Sequence, residues 1–251
     1  MDVGKLGAKV AGYLNEKLGG ELFAEVELKE FFPLGGVAIE NDVIQFPESK
    51  FYACTKSNLV ILKTTPPSHE WYKFLNLVLD TAEKSGTVKE IYTVGGMVSY
   101  SAHTAPRQLQ GVFNSMEFRE DMRQYDVDCG MNYETPAGQK PTLSSFLLWT
   151  AQKRNIPAMS LWVTSPFYLV AVDDLMGQRK VLDFINRRFT LGLDLVDIDN
   201  EIKKQSQKLA DMRRNSPDID LSIQKLENGL GISEEESQNL VTEMRTLFKS
   251  I

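Results

Sequence analysis

One segment of the sequence combines residue types that could hold a small molecule. Gly95 and Gly96 end a predicted buried strand, and the polar stretch after them contains His103 and Arg107. Ligands of α/β sheets bind outside the carboxyl ends of the strands, where backbone N–H groups and an Arg can hold an anion. These four residues are therefore the candidate ligand-binding residues. The simpler alternative is that the glycines only permit a turn.

The same segment offers little for catalysis. His103 could act as a general base near neutral pH, but no Ser and Asp stand near it in a pattern that would orient it. The sequence contains no G-x-x-x-x-G-K-[ST], no G-x-G-x-x-G after a strand and no G-x-S-x-G elbow. We therefore assign no catalytic residue. Whether the protein is an enzyme stays open, with a non-enzymatic role favoured.

The composition narrows the class of protein further. The 251 residues include two Cys and two His, too few for a Cys/His zinc site, and we expect no metal and no cofactor. Cys54 and Cys129 have no C-x-x-C neighbour, so reduced thiols are expected. Asp173 and Asp174 precede a predicted helix, where capping suits them better than metal binding.

Net charge and hydropathy indicate which kinds of partner and which cell compartment to expect. The net charge of −6 and the pI near 5.2 argue against binding to nucleic acid, which needs a basic face. Apolar residues make up 42%, enough for a core, but no run is long enough to cross a membrane. The first residues contain no long apolar stretch of a signal peptide. We therefore expect a cytoplasmic protein with neither nucleic acid nor membrane as its partner.

A strand–helix–strand pattern positions the candidate residues. Residues 58–62 form an apolar run, Ser68 is placed to cap a helix over 69–85, and residues 89–94 form the strand that ends at Gly95. That order predicts that the two strands are parallel neighbours in one sheet. Further strands are predicted over 21–28, 37–46 as a hairpin, 51–54, 112–118, 124–128 and 156–163. Helices are predicted over 3–19, 143–154 and 172–189, the second of them capped by Thr142. The fold class is α/β, with a mixed, mostly parallel sheet flanked by helices.

The composition changes after Gly192. Residues 193–251 show no strand pattern and predict a C-terminal all-helical arm with helices over about 195–214, 218–230 and 233–249. Ser233 and Glu236 form a capping box for the last helix, and Arg213 and Arg214 lie near the end of the first, where positive charge suits the helix. An apolar stripe on the last helix, expected to pack against the same chain or a second subunit, consists of Leu240, Val241, Met244 and Leu247. We therefore divide the chain into an α/β core domain, residues 1–192, and the arm, residues 193–251.

Several stretches in order resemble the proteasome assembly chaperone 2 family, in its archaeal and bacterial form. They are VGKL (3–6), NLVIL (58–62), IYTVGG (91–96), TLSSFLL (142–148), NIPAMSLW (155–162) and TSPFY (164–168). The resemblance covers about residues 3–195. It implies a fold like that of nucleoside phosphorylases, a homo-oligomer (a trimer or a tetramer), protein partners related to the proteasome and no established catalytic activity.

The two ends of the chain depart from that family. The chain ends in FKSI (248–251), with Lys and Ser where some archaeal relatives have a hydrophobic residue and Tyr, so we do not expect this tail to dock into a proteasome pocket. Members usually begin with a strand and a Gly-rich turn, which Met1 and Asp2 replace here. The expectation is either a mis-set gene start or a sheet that lacks this strand.

Two functional hypotheses follow. The first is a non-enzymatic oligomeric chaperone or scaffold that acts through protein–protein contacts. The alternative is an enzyme or binding protein for a nucleoside-like or phosphorylated small molecule, held in the strand-end cleft around Gly95, Gly96, His103 and Arg107.

Overall fold

A computed structural model describes residues 2–27, 30–32, 38–40 and 42–249 of the chain. Its strands are β1 (Glu21–Glu25), β2 (Ala38–Glu40), β3 (Val43–Gln45), β4 (Ser49–Cys54), β5 (Leu59–Thr64), β6 (Ile91–Ser99), β7 (Leu109–Phe113), β8 (Val127–Asp128) and β9 (Ala158–Pro166). Its α-helices are α1 (Leu6–Lys17), α2 (Trp71–Glu83), α3 (Met116–Met122), α4 (Leu143–Lys153), α5 (Leu175–Phe189), α6 (Val196–Asn215), α7 (Pro217–Glu227) and α8 (Glu234–Lys249). The α/β class predicted from the sequence is confirmed.

The strands form three sheets, and their topology corrects two predictions. The strand orders are β1-β4-β5, β2-β3 and β6-β9-β7-β8. The pairs β1/β4, β4/β5 and β2/β3 are antiparallel, so the mostly parallel sheet is wrong for this part of the fold. The connection between β4 and β5 is one short 3₁₀ turn, which can join only antiparallel neighbours. The predicted parallel pair of β5 and β6 is also wrong, because these strands lie in different sheets.

Three further elements differ from the prediction. β6 continues through Gly95 and Gly96 instead of ending before them. The predicted strand over 112–118 is split into the end of β7 and the start of α3, because the Ser115 hydroxyl accepts a hydrogen bond from the Phe118 N–H and caps a helix. Ser68 does not cap α2; its hydroxyl donates to the Phe31 carbonyl instead.

Other local predictions are confirmed. The Thr142 hydroxyl caps α4, and the Ser233–Glu236 capping box forms, with hydrogen bonds of 2.8 and 3.1 Å. The hairpin forms between β2 and β3, although residues 37 and 41 of its predicted span lie outside the described residues. Residues 250 and 251, on which the prediction about the tail depends, lie outside them as well.

The chain divides into two compact units. Unit 1 contains Met1–Val10, Val94–Gln110 and Trp162–Ile251, and unit 2 contains Ala11–Thr93 and Gly111–Leu161. Residues on both sides of the proposed boundary at 192 lie in unit 1. The division into residues 1–192 and 193–251 stays a prediction.

Each unit has its own apolar core. In unit 1, the three arm helices pack on the turn after β9, with a cluster of Ala102, Tyr168, Leu169, Leu209, Met212, Ile219, Ile223, Leu226, Leu240 and Met244. The apolar stripe predicted for α8 therefore packs within this chain. In unit 2, one face of α2 packs with a residue of β4 and two residues that follow β1, in a cluster of Val26, Phe31, Phe51, Phe74, Leu75 and Val78.

Candidate functional site

The four predicted ligand-binding residues all belong to unit 1. Gly95 and Gly96 are buried within β6, and residues 100–108, here called the strand-end loop, connect β6 to β7. Within this loop His103 is half-buried and Arg107 is buried. The structure therefore places two of the residues in a strand and two in the loop that follows it.

Gly96 takes part in a group of backbone donors. Its N–H donates to the Asp2 carboxylate at 3.1 Å, and the N–H groups of Gly7 and Ala8 donate to the same carboxylate at 3.0 and 3.1 Å. A carboxylate is favoured here because the first N–H groups of a helix lack partners within the helix. The anion held by these donors is thus one of the protein's own side chains.

The glycines of this group also permit a close approach of two backbone segments. A Cβ added to Gly96 would lie 2.4 Å from the Val3 oxygen, and one added to Gly7 would lie 2.1 Å from the Val94 oxygen. No side chain fits at such distances. These glycines are therefore required for close packing of the backbone, a role that differs from permitting a turn.

Arg107 forms a buried ion pair with Asp174. Its Nε lies 2.9 Å from Asp174 Oδ2, and the two side chains are only 3% and 4% exposed. A further guanidinium nitrogen donates to the carbonyls of His103 and Ala105, at 3.2 and 2.8 Å. Asp174 also caps α5 through the Gly177 N–H. The guanidinium thus fixes the end of the loop to the start of α5.

His103 is bound to the buried hydroxyl of Tyr168. The His103 N–H donates to Tyr168 Oη at 2.5 Å, and His103 Nδ1 lies 2.9 Å from the same oxygen. Which group donates between Nδ1 and Oη depends on the tautomer of the imidazole, and in either tautomer the Tyr168 oxygen occupies Nδ1.

The electrostatics of this pair keep both rings neutral. Burial, helped by the charges of Arg213 and Arg107, lowers the pKa of His103 to about 4. Burial also raises the pKa of Tyr168 well above its usual range. A neutral imidazole whose Nδ1 is already occupied is poorly suited to take a proton from a substrate.

The middle of the loop is attached to the helical arm. Thr104 Oγ1 donates to Glu227 Oε1 at 2.9 Å, and Arg213 binds both oxygens of that carboxylate, at 2.7 and 3.1 Å. Arg213 Nε also donates to Asp220 at 2.6 Å. The guanidinium lowers the pKa of both Glu227 and Asp220. One cation thus joins α6, α7 and the loop.

Sequence reasoning missed most of these partners. It assigned Asp174 to capping, which is confirmed, but did not pair it with Arg107. It placed Arg213 at a helix end and gave no role to Glu227 or Tyr168. Arg213 and Asp220 flank Pro217, and that spacing across a helix break is the one local signal that could have linked them.

The arrangement holds the loop and offers few free groups for chemistry. Within the part of the chain that the structure describes, no three His, Cys, Asp or Glu side chains are grouped as metal ligands. Among the same residues, no helix is long and apolar enough to cross a membrane. Ligand binding by Gly95, Gly96, His103 and Arg107 stays a prediction.

The sheets, flanking helices and helical arm define an α/β protein of a known kind. A sequence model of the PAC2 family matches residues 1–213, and the chain therefore belongs to this family. A sequence comparison with functionally curated proteins gave no match.

Solved structures share the fold at low sequence identity. A Mycobacterium tuberculosis protein of unknown function matches with a TM-score of 0.73 and 18% identity, covering 98% of this chain and 83% of that one. A proteasome-assembly chaperone homologue from the same organism matches with a TM-score of 0.68 and 15% identity, covering 84% of this chain and 90% of that one. The archaeal proteasome activator PbaB of Pyrococcus furiosus matches with a TM-score of 0.64 and 21% identity, covering 85% of this chain and 90% of that one.

Proposed function

We propose that this protein is a non-enzymatic, cytoplasmic chaperone or scaffold that acts through protein–protein contacts. Membership of the PAC2 family supports the proposal. Two proteins that share the fold are described as a proteasome-assembly chaperone homologue and a proteasome activator, which favours a proteasome-related partner. A fold like that of nucleoside phosphorylases remains part of the same proposal.

The observation that carries the proposal is an exposed aromatic surface in unit 2. Tyr72 of α2 is 50% exposed and Trp149 of α4 is 47% exposed. The centre of the Tyr72 ring lies 5.4 Å from that of Trp149 and 5.1 Å from that of Phe146. We call these three residues the α2–α4 aromatic surface.

This surface has the composition of a contact region. Tyr and Trp are enriched among the residues that contribute most to binding at protein interfaces, because they bring a large, rigid apolar area. The rings hold one another in place through edge contacts, so little side-chain freedom would be lost on binding. A catalytic cleft would instead bring polar groups together.

Capture of partners from the native host tests the proposal. Tagged wild-type protein is expected to retain a specific protein partner, and Tyr72→Ser/Trp149→Ser is expected to lose it. Met116→Ser/Tyr133→Ser is the matched control, because these side chains are 62% and 72% exposed and lie outside the aromatic surface. Recovery of no partner from cells in several growth states would contradict the proposal.

The subunit number is a separate part of the proposal. We expect a homo-oligomer, a trimer or a tetramer, whose mass light scattering after gel filtration measures directly. A monomer at all concentrations would remove the oligomer from the proposal but leave partner binding intact.

The small-molecule hypothesis can be tested independently. A ligand that binds only the folded protein stabilises it by about 2.7 kcal/mol at a hundred times its dissociation constant. Nucleosides, phosphate and nucleotides should therefore raise the unfolding midpoint if the strand-end loop binds them, and His103→Ala should reduce the rise. Unchanged midpoints with every compound would end this hypothesis.

A further inference from the structure

A groove in unit 1 lies apart from the strand-end loop. It has a volume of about 560 Å³ and is bordered by residues 171–175, by α6 and by the end of α8. That volume falls within the usual range of binding sites. The buried Gln205 fixes one wall, because its amide nitrogen donates to the Asp173 carbonyl at 2.6 Å.

Two cationic side chains that line the groove are not paired with a carboxylate among the described residues. The lining carboxylates already have partners: Asp173 is paired with Lys9, and Glu201 with Lys204. Lys208 and Arg245 also line the groove, and neither has a carboxylate partner among the described residues. The groove thus offers unneutralised positive charge in a protein of net charge −6.

Apolar side chains lie next to these cations. Val172, Leu175 and Phe248 are half-buried in the lining of the groove. Lys208 Nζ lies 5.7 Å from the centre of the Phe248 ring, so a cation–π contact holds the ammonium beside the apolar floor. A ligand that fits must therefore carry an anionic group close to an apolar one.

The shape favours a peptide over a small molecule. Half of the lining residues are exposed, so the groove is open along its length. Sites for small molecules usually enclose most of the ligand surface. We propose that this groove binds a segment of a partner protein in which acidic side chains alternate with large apolar ones. This inference rests on the proposed function, because it names a surface through which a partner binds.

Fluorescence anisotropy with short labelled peptides tests the inference on the full chain. The first peptide set alternates Glu or Asp with Phe or Leu. A second set replaces the acids with Gln and Asn, and a third replaces the apolar residues with Ser. The first set is expected to bind at least about tenfold more tightly than either of the others, a difference of about 1.4 kcal/mol.

Charge variants then locate the binding. Lys208→Gln/Arg245→Gln should weaken binding of the first set about tenfold, and Lys208→Glu/Arg245→Glu should abolish it. The matched control is Lys56→Gln/Lys203→Gln, which removes the same charge at exposed positions outside the groove. An unchanged thermal midpoint shows that each variant is folded.

Three results would overturn the inference: no preference of the wild type for the first set, equal binding by the groove variant, or equal loss in the control. The native-host capture separates it from the proposed function. If wild type and groove variant retain the same partner, the inference about the groove is wrong but the proposed function stands. If neither retains any partner, the proposed function is wrong, whatever the peptides show.

Discussion

The strand-end loop of unit 1 and the α2–α4 aromatic surface of unit 2 use their side chains in different ways. In the loop, the side chains of His103, Thr104 and Arg107 all have partners within the chain. On the aromatic surface, Tyr72 and Trp149 contact each other's rings, the Lys153 ammonium lies over the Trp149 ring, and about half of each side chain is exposed.

This difference separates holding the fold from offering a contact. Buried polar groups are costly unless they are paired, so the buried Arg107 and the half-buried His103 must find partners inside the protein. Exposed aromatic rings keep their apolar area available for a second molecule. The substitutions below test whether the first region supports stability and the second does not.

The largest effect is expected for Arg107→Met. Removal of one partner from a buried ion pair leaves an unpaired charge and costs about 3–5 kcal/mol of unfolding free energy. Chemical denaturation measures this cost. Arg154→Met in unit 2 is the matched control, because Arg154 pairs with Asp80 and Glu83 and is 23% exposed, so a loss of at most about 1 kcal/mol is expected. Equal losses would show that the Arg107 pair is not special.

Gly7→Ala is expected to follow, with a loss of about 1–3 kcal/mol from overpacking. The new Cβ would lie 2.1 Å from the Val94 oxygen, so the backbone must move. Gly12→Ala on the same helix is the control, because its nearest neighbour is the flexible Lys63 ammonium at 4.0 Å. That substitution should stabilise α1 by about 0.5–1 kcal/mol. Two changes of the same sign would refute the close-packing role of Gly7.

Tyr168→Phe should cost about 1–3 kcal/mol, because the N–H and Nδ1 of His103 both lose their buried partner. Hydrogen exchange at the His103 amide should become faster than in wild type. Tyr133→Phe, at a residue that is 72% exposed, should change neither quantity. An unchanged exchange rate in Tyr168→Phe would place the hydrogen bond in doubt.

A pH dependence is expected from His103. Its pKa is about 4 in the folded protein and about 6.5 when unfolded, so between these values the unfolded state binds more protons. The contribution of the neutral His103 to the unfolding free energy is therefore fully present above pH 6.5 and is lost as the pH falls towards 4. His103→Gln should flatten this part of the profile relative to the wild type. A profile that His103→Gln leaves unchanged would remove His103 as the cause.

The smallest effect on stability is expected for Tyr72→Ser/Trp149→Ser. Both side chains are about half exposed and their ring contact contributes about 1 kcal/mol, so a loss of about 1 kcal/mol is expected. Loss of the captured partner without loss of stability would sharpen the contrast between the two regions. A large drop in stability would show that the aromatic surface is part of the core of unit 2.

Prediction from the sequence succeeded where the cause is local. Thr142, Ser233 and Glu236 act on N–H groups within a few residues, so a short pattern contains both partners. The three arm helices follow in the same way from apolar spacing and from helix-breaking residues between them. The family resemblance was also readable, because it depends on ordered stretches of sequence and the family match covers residues 1–213.

Prediction failed where the partner is distant in the chain. Arg107 and Asp174 are 67 residues apart, and Thr104 and Glu227 are 123 apart, so neither pair leaves a pattern that a sequence window could detect. The continuation of β6 through Gly95 and Gly96 was missed for a related reason. Two glycines usually mark a turn, and only the Val3 backbone beside Gly96 explains why the strand requires one there.

The sequence by itself determined the α/β class, the helical arm, the local caps and the family. These depend on periodicity and on contacts within one turn, which the order of residues sets directly. Only the tertiary structure decided that His103 and Arg107 are held by Tyr168 and Asp174, and that Lys208 and Arg245 line one groove. Folding brings His103 and Arg107 to these partners because a buried polar group is costly unless the packed chain supplies a hydrogen-bond partner for it.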